Sequence, residues 1–338
     1  MLLVLVTLLV VSVVLSTGFG AAQLSPSVVV HVLLARWSGA WAGTGDSAFA
    51  AIVWDLRLPR ALLAIVVGAG LAMAGTAIQT LVRNPLADPY LLGVSSGASV
   101  GAVAVLTSGA FSAAGLWALS GGALAGALLA ALTVFGVTMA QGGLTPLRLV
   151  LTGTVLGSAF SAVASFLVFR SGDPRAAESV LFWLLGSLAG AQWQGLALPA
   201  VTVLAAGLLL CVGSGWLDAL ATGPDTASAL GVPVTSARTT LFCLLAVLVG
   251  VLVAVAGCVG FVGLVLPHAA RLLVGARHRR VLPVASACGA LFLLWVDVLA
   301  RVAARPVEIP LSVVTGIVGA PAFLLLLGRR RYQFGGVN

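Results

Sequence analysis

Hydrophobic residues run along this chain in long windows, and polar residues gather in the short breaks between them. Windows of membrane length fall at roughly 2–22, 61–82, 91–107, 116–140, 147–169, 195–213, 237–256, 259–275, 281–300 and 309–327, each closed by a charged or Pro/Gly-rich break. Lipid offers backbone groups no partners, so such windows must be helices that satisfy their own hydrogen bonds. The pattern predicts an all-α polytopic membrane protein with up to about ten transmembrane helices, and ten would place both termini on one side. The windows near 91–107 and 259–275 are short and glycine-rich, and either is a candidate re-entrant piece.

Arginines in the breaks orient the chain. One set of connections carries Arg83, Arg148, Arg238, Arg277, Arg279, Arg280, Arg329, Arg330 and Arg331; the other carries Arg36, Arg57, Arg60, Arg170, Arg175, Arg301 and Arg305. The first set holds the tight clusters, and the second is diluted by Asp46, Asp55, Asp173 and Glu178, so the first side is expected to be cytoplasmic, with both termini. Met1 to Gly20 lacks a basic n-region and a small-x-small cleavage site, and reads as a retained first span rather than a signal peptide.

Composition narrows the class. With 61% hydrophobic and 8% charged residues the chain lacks the polar surface of a soluble globule. No lysine occurs, which excludes a P-loop nucleotide site and Schiff-base chemistry in this chain. The net charge of +8 is spread as arginines between apolar runs, a membrane-flank pattern rather than a nucleic-acid face. Cys211, Cys243, Cys258 and Cys288 stand singly in apolar stretches without metal-ligand spacing and read as small packing residues. Gly122 with Gly126, and Gly153 with Gly157, have the spacing that lets helix backbones approach closely in lipid.

Punctuation is densest around the second window. Leu56-Arg57-Leu58-Pro59-Arg60 precedes about twenty apolar residues, which end in Arg83-Asn84-Pro85-Leu86-Ala87-Asp88-Pro89 and then Leu92-Gly93-Val94-Ser95-Ser96-Gly97. Gly260-Phe261-Val262-Gly263-Leu264-Val265-Leu266-Pro267-His268-Ala269-Ala270-Arg271 and the run from Pro310 to Pro321 are similarly marked. These stretches resemble the permease subunits of bacterial ATP-driven importers for ferric siderophores, haem and cobalamin, and the resemblance covers nearly the whole chain as one permease domain.

The resemblance implies roles for particular residues. Between the sixth and seventh windows, helix-forming pieces flank Gly223-Pro224 and end at Gly231 and Pro233, predicting two short helices at the cytoplasmic surface within about 216–235. In the family this segment couples to a separate ATPase, which gives Thr222, Gly223, Asp225, Leu230 and Gly231 that role. Asn84 and Leu86, after the second span, match a cytoplasmic gate. A second constriction falls at Leu144-Thr145-Pro146-Leu147-Arg148, where Pro146 and Leu147 replace the family's usual small hydroxyl residues. Arg57, Arg60 and Arg301 match arginines that meet acidic residues on a substrate-binding protein, a contact suited to guanidinium geometry. Short helices on the outer face are expected as well.

The implied assembly is a second permease subunit, identical or closely related, a pair of ATPase subunits holding ATP and Mg, and a substrate-binding protein or lipoprotein. This chain then needs no cofactor and catalyses no covalent step; it translocates a ferric siderophore, or alternatively haem or cobalamin, by alternating access. His268 reads as a packing residue with a backbone hydrogen bond. Asp297 and Arg301 are spaced as a helical ion pair, and Glu308 is placed to bond helix-start amides or to pair with Arg305. An ion-coupled secondary transporter titrating Asp297 or Glu308 is the competing class, and it lacks a clear inverted repeat in the sequence.

Overall fold

The computed structural model describes residues 1–20, 24–37, 47–108, 116–172 and 174–328. Asp46, Asp173, Arg329, Arg330 and Arg331, used above for orientation, lie outside the described residues. Among those described there is helix and no strand. The chain runs α1 (Leu2–Gly18), α2 (Pro26–Trp37), α3 (Ser47–Ala51), a π-helical turn (Ile52–Arg57), α4 (Leu58–Leu81), a 3₁₀ turn (Pro89–Leu92), α5 (Val94–Ser108), α6 (Leu116–Ala140) and α7 (Pro146–Ser171). It continues through α8 (Pro174–Leu184), α9 (Trp193–Val212), α10 (Ser214–Thr222), α11 (Pro224–Ala229), α12 (Val234–Ala256), α13 (Val262–Val274), α14 (His278–Val302) and α15 (Leu311–Gly328).

Each apolar window of the sequence holds a helix, and among the described residues six helices are long and apolar enough to cross a bilayer alone. α5 and α13 are 15 and 13 residues long, about 22 and 20 Å of rise, short of the roughly 30 Å hydrocarbon core. Both glycine-rich windows are therefore broken. Irregular backbone before each helix supplies the rest of the passage: residues 82–93 before α5 and residues 257–261 before α13.

α4 is the central post, packed against α14, α13, α12 and α9. Of the best 18-residue window in its span, 78% is buried, against 22% for α7. Small residues set the spacing. A Cβ on Gly75 would lie 1.9 Å from the Gly263 carbonyl oxygen, and one on Gly68 2.2 Å from that of Gly289, so α4 touches α13 and α14 backbone to backbone. Gly122 and Gly126 press in the same way on Gly101 and Gly97 of α5. The second predicted pair divides: Gly153 sits against the Leu91 carbonyl, whereas Gly157 faces open space near Ser96.

The two broken segments meet halfway along α4. Gly263 lies against Pro89 and the Leu71 carbonyl, about 9–15 Å in from the end of α4 at Leu81. Their unpaired backbone groups find partners in side chains, as non-helical chain at this depth must. The Tyr90 hydroxyl donates to the Val259 carbonyl at 3.1 Å and accepts the Val259 N–H at 2.9 Å. Ser312 donates to the Cys258 carbonyl at 2.5 Å, and Ser95 Oγ lies 2.8 Å from Cys258 Sγ. Cys258 and Cys288 pack against the core as expected, Cys258 also bracing a chain break, whereas Cys211 and Cys243 are exposed on the helix exterior.

The described arginines whose contacts mark a position separate to opposite ends of the bundle. Arg57, Arg60 and Arg301 cluster with the C-terminal end of α1 and the start of the α14–α15 connection. Arg83 packs near Gly223, and Arg238 donates to the Leu144 carbonyl at the other end. α1 starts and α15 finishes toward this Arg83 end.

Candidate functional site

Between the two ends the structure places a groove of about 530 Å³ whose mostly apolar wall carries the polar side chains of Asp88, Tyr90, Ser96, Thr154, Ser158 and Ser161. Asp88 and Tyr90 come from the break before α5, Ser96 from the first turn of α5, and the rest from one face of α7. On α7 the hydroxyls recur at 154, 158 and 161, a helical spacing that puts them on one side. Thr154 and Ser158 return their protons to the carbonyls one turn back, at 2.8 and 3.0 Å, which leaves lone pairs facing the groove. Ser161 reaches across to Ser96 at 3.3 Å. The Asp88 carboxylate accepts from the Tyr90 N–H at 2.9 Å and fixes the 3₁₀ turn that forms one wall.

No role was assigned to these groove residues from the sequence. Asp88 and Ser96 lay inside the marked stretch, but only the hydroxyl period of α7 signalled that a second helix faces them. Such a lining offers weak, exchangeable hydrogen bonds and no nucleophile held by a base. Among the described residues no group of three or more His, Cys, Asp or Glu is placed to hold a metal ion.

The residues matched to a gate by resemblance stand at the Arg83 end. Proline at 85 bars helix at Asn84, and the chain leaves α4 through Arg83 at φ 50°. Asn84 caps the turn: its N–H donates to Gln79 O at 3.0 Å and its Oδ1 accepts from the Leu86 N–H at 2.9 Å. Leu86 is left 52% exposed. Pro146 occupies the first turn of α7, where its missing N–H costs nothing, behind the Thr145 cap that accepts from Arg148 N–H at 3.4 Å. Leu147 beside it is 68% exposed. Two apolar side chains, one from each predicted constriction, thus lie uncovered at the same end of a single chain.

The segment around Gly223 forms two short helices, as its sequence predicts. Gly223 turns the chain between them at φ 124°, ψ 160°, a conformation that favours glycine. Gly231 at φ 79° closes α11: its N–H bonds Ser228 O and that of Val232 bonds Ala227 O, the Schellman pattern. Ala219, Leu220, Ala227, Val232 and Ala237 give the pair a small core of its own. Gly223 is buried, whereas Thr222, Asp225, Leu230 and Gly231 point outward, Leu230 at 67% exposure.

At the opposite end Arg60 holds two carboxylates at once. Nε is 2.8 Å from Asp297 Oδ1, and Nη1 and Nη2 each lie 2.9 Å from a Glu308 oxygen, a bidentate fork. Arg301 takes the other Asp297 oxygen at 3.0 Å, so the predicted helical pair exists inside a larger network. The expectation for Glu308 is corrected: its partner is Arg60, not Arg305 or a helix-start amide. Planar geometry decides this, because the Arg60 fork matches both carboxylate oxygens.

Arg57 and Arg301 also close α1. Arg57 donates to the Thr17 and Gly18 carbonyls at 2.8 and 3.1 Å, and Arg301 to those of Phe19 and Ser16 at 2.9 and 3.4 Å. The last turn of α1 carries no basic residue of its own. Its orphan carbonyls and negative dipole end are met by arginines from the π-helical turn before α4 and from α14. Arg57 is 8% exposed and Arg60 9%, so in this conformation the guanidiniums matched to docking are turned inward. His268 places Nδ1 3.1 Å from the Leu264 carbonyl and its ring edge-on to Phe323.

A bundle of membrane-crossing helices, with a hydroxyl-bearing groove beside a broken middle and a helical elbow at one end, has the architecture of a multi-pass transport permease. The chain matches the FecCD transport family over residues 8–329 and belongs to it. It is 37% identical over 95% of its length to the uncharacterized ABC transporter permease protein YvrB of Bacillus subtilis, covering 91% of that protein. It is 39% identical over 92% of its length to the vitamin B12 import system permease protein BtuC of Citrobacter koseri, covering 94% of it. To the cobalamin import system permease protein BtuC of Halobacterium salinarum it is 41% identical over 83% of its length, covering 74% of that protein. A solved structure described as an inward-facing metal-chelate type ABC transporter superposes with a TM-score of 0.85 at 33% identity, over 97% of this chain and 99% of that one. The chain is an ABC importer permease.

Proposed function

We propose that the chain passes a metal chelate across the cytoplasmic membrane, as one half of a permease dimer driven by a separate pair of ATPase subunits. The observation that carries this is the hydroxyl-lined groove on α7, a membrane helix left largely uncovered by its own chain. A second copy, or a close relative, set against α7 would turn the open groove into a closed path. Leu86 and Leu147 would then narrow its cytoplasmic exit together with Asn84 and Pro146.

The α10–α11 elbow, with Leu230 projecting, is the surface offered to the ATPase, and Thr222, Gly223, Asp225 and Gly231 shape it. Termini and elbow lie on the cytoplasmic side by the arginine rule. The substrate-binding protein docks at the Arg60 end. There the exposed Arg305 is placed to meet it, while Arg57, Arg60 and Arg301 hold the rim in shape.

For the cargo, the relatives named for vitamin B12 and cobalamin favour a corrinoid, and a ferric siderophore is the second reading within the same class. The test is uptake of labelled cobalamin and of labelled ferric siderophores by cells with and without this gene. Cobalamin uptake lost on deletion and restored by the gene supports the corrinoid; loss confined to a siderophore selects the second reading. Uptake of every metal chelate unchanged by deletion refutes both.

A further inference from the structure

The Arg83 end contains a polar chain that links three elements and serves none of the contacts above. Asp218 lies on α10, His278 opens α14, and Thr80 sits in the last turn of α4. Asp218 Oδ1 accepts the His278 backbone N–H at 2.9 Å and lies 2.6 Å from ring Nδ1. The other ring nitrogen, Nε2, is 2.7 Å from the Thr80 hydroxyl. His278 is 4% exposed and Thr80 6%, whereas the Asp218 side chain is 41% exposed. The chain is thus wet at the coupling helix and dry at α4.

The geometry of its inner end admits two arrangements. The Thr80 hydroxyl carries one proton and has two acceptors within reach. While Nδ1–H is held by Asp218, a neutral ring presents Nε2 and takes the Thr80 proton. If Asp218 withdraws, the hydroxyl falls back on the Thr76 carbonyl, 3.2 Å away. Such a back-bond competes with the helix ladder and bends helices. The next residue toward the N-terminus, Gln79, gives its carbonyl to the Asn84 N–H, so a change in this turn acts on the first residue of the gate. Gly223, between α10 and α11, also lies beside the Arg83 guanidinium, so the elbow and the end of α4 already touch.

We propose that Asp218, His278 and Thr80 form a hydrogen-bond relay that ties movement of the α10–α11 elbow to the last turn of α4, and so to the gate at Asn84. Asp, His and a hydroxyl in a row also describe a nucleophile with its base and orienter, but burial of the Thr80 oxygen denies a substrate access. All three are positioning residues. The relay rests on the proposed drive by a separate ATPase, as two arrangements biased from one site.

The test is the amount of cargo moved per ATP hydrolysed in proteoliposomes holding the permease, its ATPase and its binding protein. Thr80→Val keeps the side-chain shape and removes the hydroxyl; Thr80→Ser keeps the hydroxyl. The relay predicts that Thr80→Val assembles and hydrolyses ATP but moves about tenfold less cargo per ATP, and that Thr80→Ser restores the ratio. Asp218→Ala, at the wet end, should uncouple in the same way and decides the matter if Thr80→Val fails to assemble. A wild-type ratio in Thr80→Val or Asp218→Ala, or equal loss in Thr80→Ser, overturns the relay. Wild-type protein moving cargo without ATP would instead overturn the ATPase drive, and is read from the wild type alone.

Discussion

Arg60 and Asp297, 237 residues apart in sequence, meet at 2.8 Å in a site where the Asp297 side chain has no exposure at all. A carboxylate taken out of water is tolerated only while its charge is matched, and Asp297 is matched twice, by Arg60 and Arg301. Glu308, the other acid on Arg60, keeps 43% of its side chain exposed. Removing the first should therefore cost far more than removing the second.

Asp297→Ala leaves two buried arginines facing each other and is expected to destabilise the detergent-solubilised protein by about 3–5 kcal/mol. Glu308→Gln, at the wetter site, should cost about 1 kcal/mol or less. Denaturant or thermal unfolding of the two variants checks the contrast. Equal losses would mean that the network is not organised around Asp297.

Close backbone approach gives a second contrast. Gly75→Ala drives a methyl into the Gly263 carbonyl and should cost about 1–3 kcal/mol or more, because neither helix has a side chain that can yield. Gly136, also helical, has nothing within 4 Å of a built Cβ. Gly136→Ala should be neutral or stabilising by up to about 1 kcal/mol. Unfolding midpoints for the pair decide whether α4 and α13 are as tightly apposed as described.

These contrasts also show what the sequence made legible. Apolar windows located the long helices, because a bilayer leaves that pattern no other structure. Gly223-Pro224 and Gly231 announced the elbow, since turn and cap chemistry is local. The partners of Arg60 were not legible: Glu308 is 248 residues away, and nearby Arg305 looked equally suitable. The arginines that cap α1 come from the π-helical turn before α4 and from α14, so no motif in α1 reveals them. The groove was hidden for the same reason, its two walls being brought together only by the broken chain before α5.

Filling the groove should stop passage without unmaking the protein. Ser158 is exposed on the groove face of α7, so Ser158→Trp has room to be accommodated and places an indole where cargo would pass. Transport in the reconstituted complex is expected to fall to background, with expression, ATPase assembly and binding-protein docking retained. Undiminished transport would move the path away from this face.

Leu230 offers a direct test of the elbow as the ATPase contact. An apolar side chain 67% exposed at the end of a capped helix suits the centre of an interface. Leu230→Asp should weaken ATPase binding by about 2 kcal/mol, roughly thirtyfold. Titration of purified permease with the ATPase measures it, and an unchanged affinity would take Leu230 out of the contact.

Proteoliposome uptake of a labelled metal chelate is the most direct measurement. It would be made with this chain alone under an ion gradient, and again with its ATPase, ATP and binding protein. A groove without a power source of its own predicts no uptake in the first case and ATP-dependent uptake in the second. Gradient-driven uptake by the chain alone would contradict it.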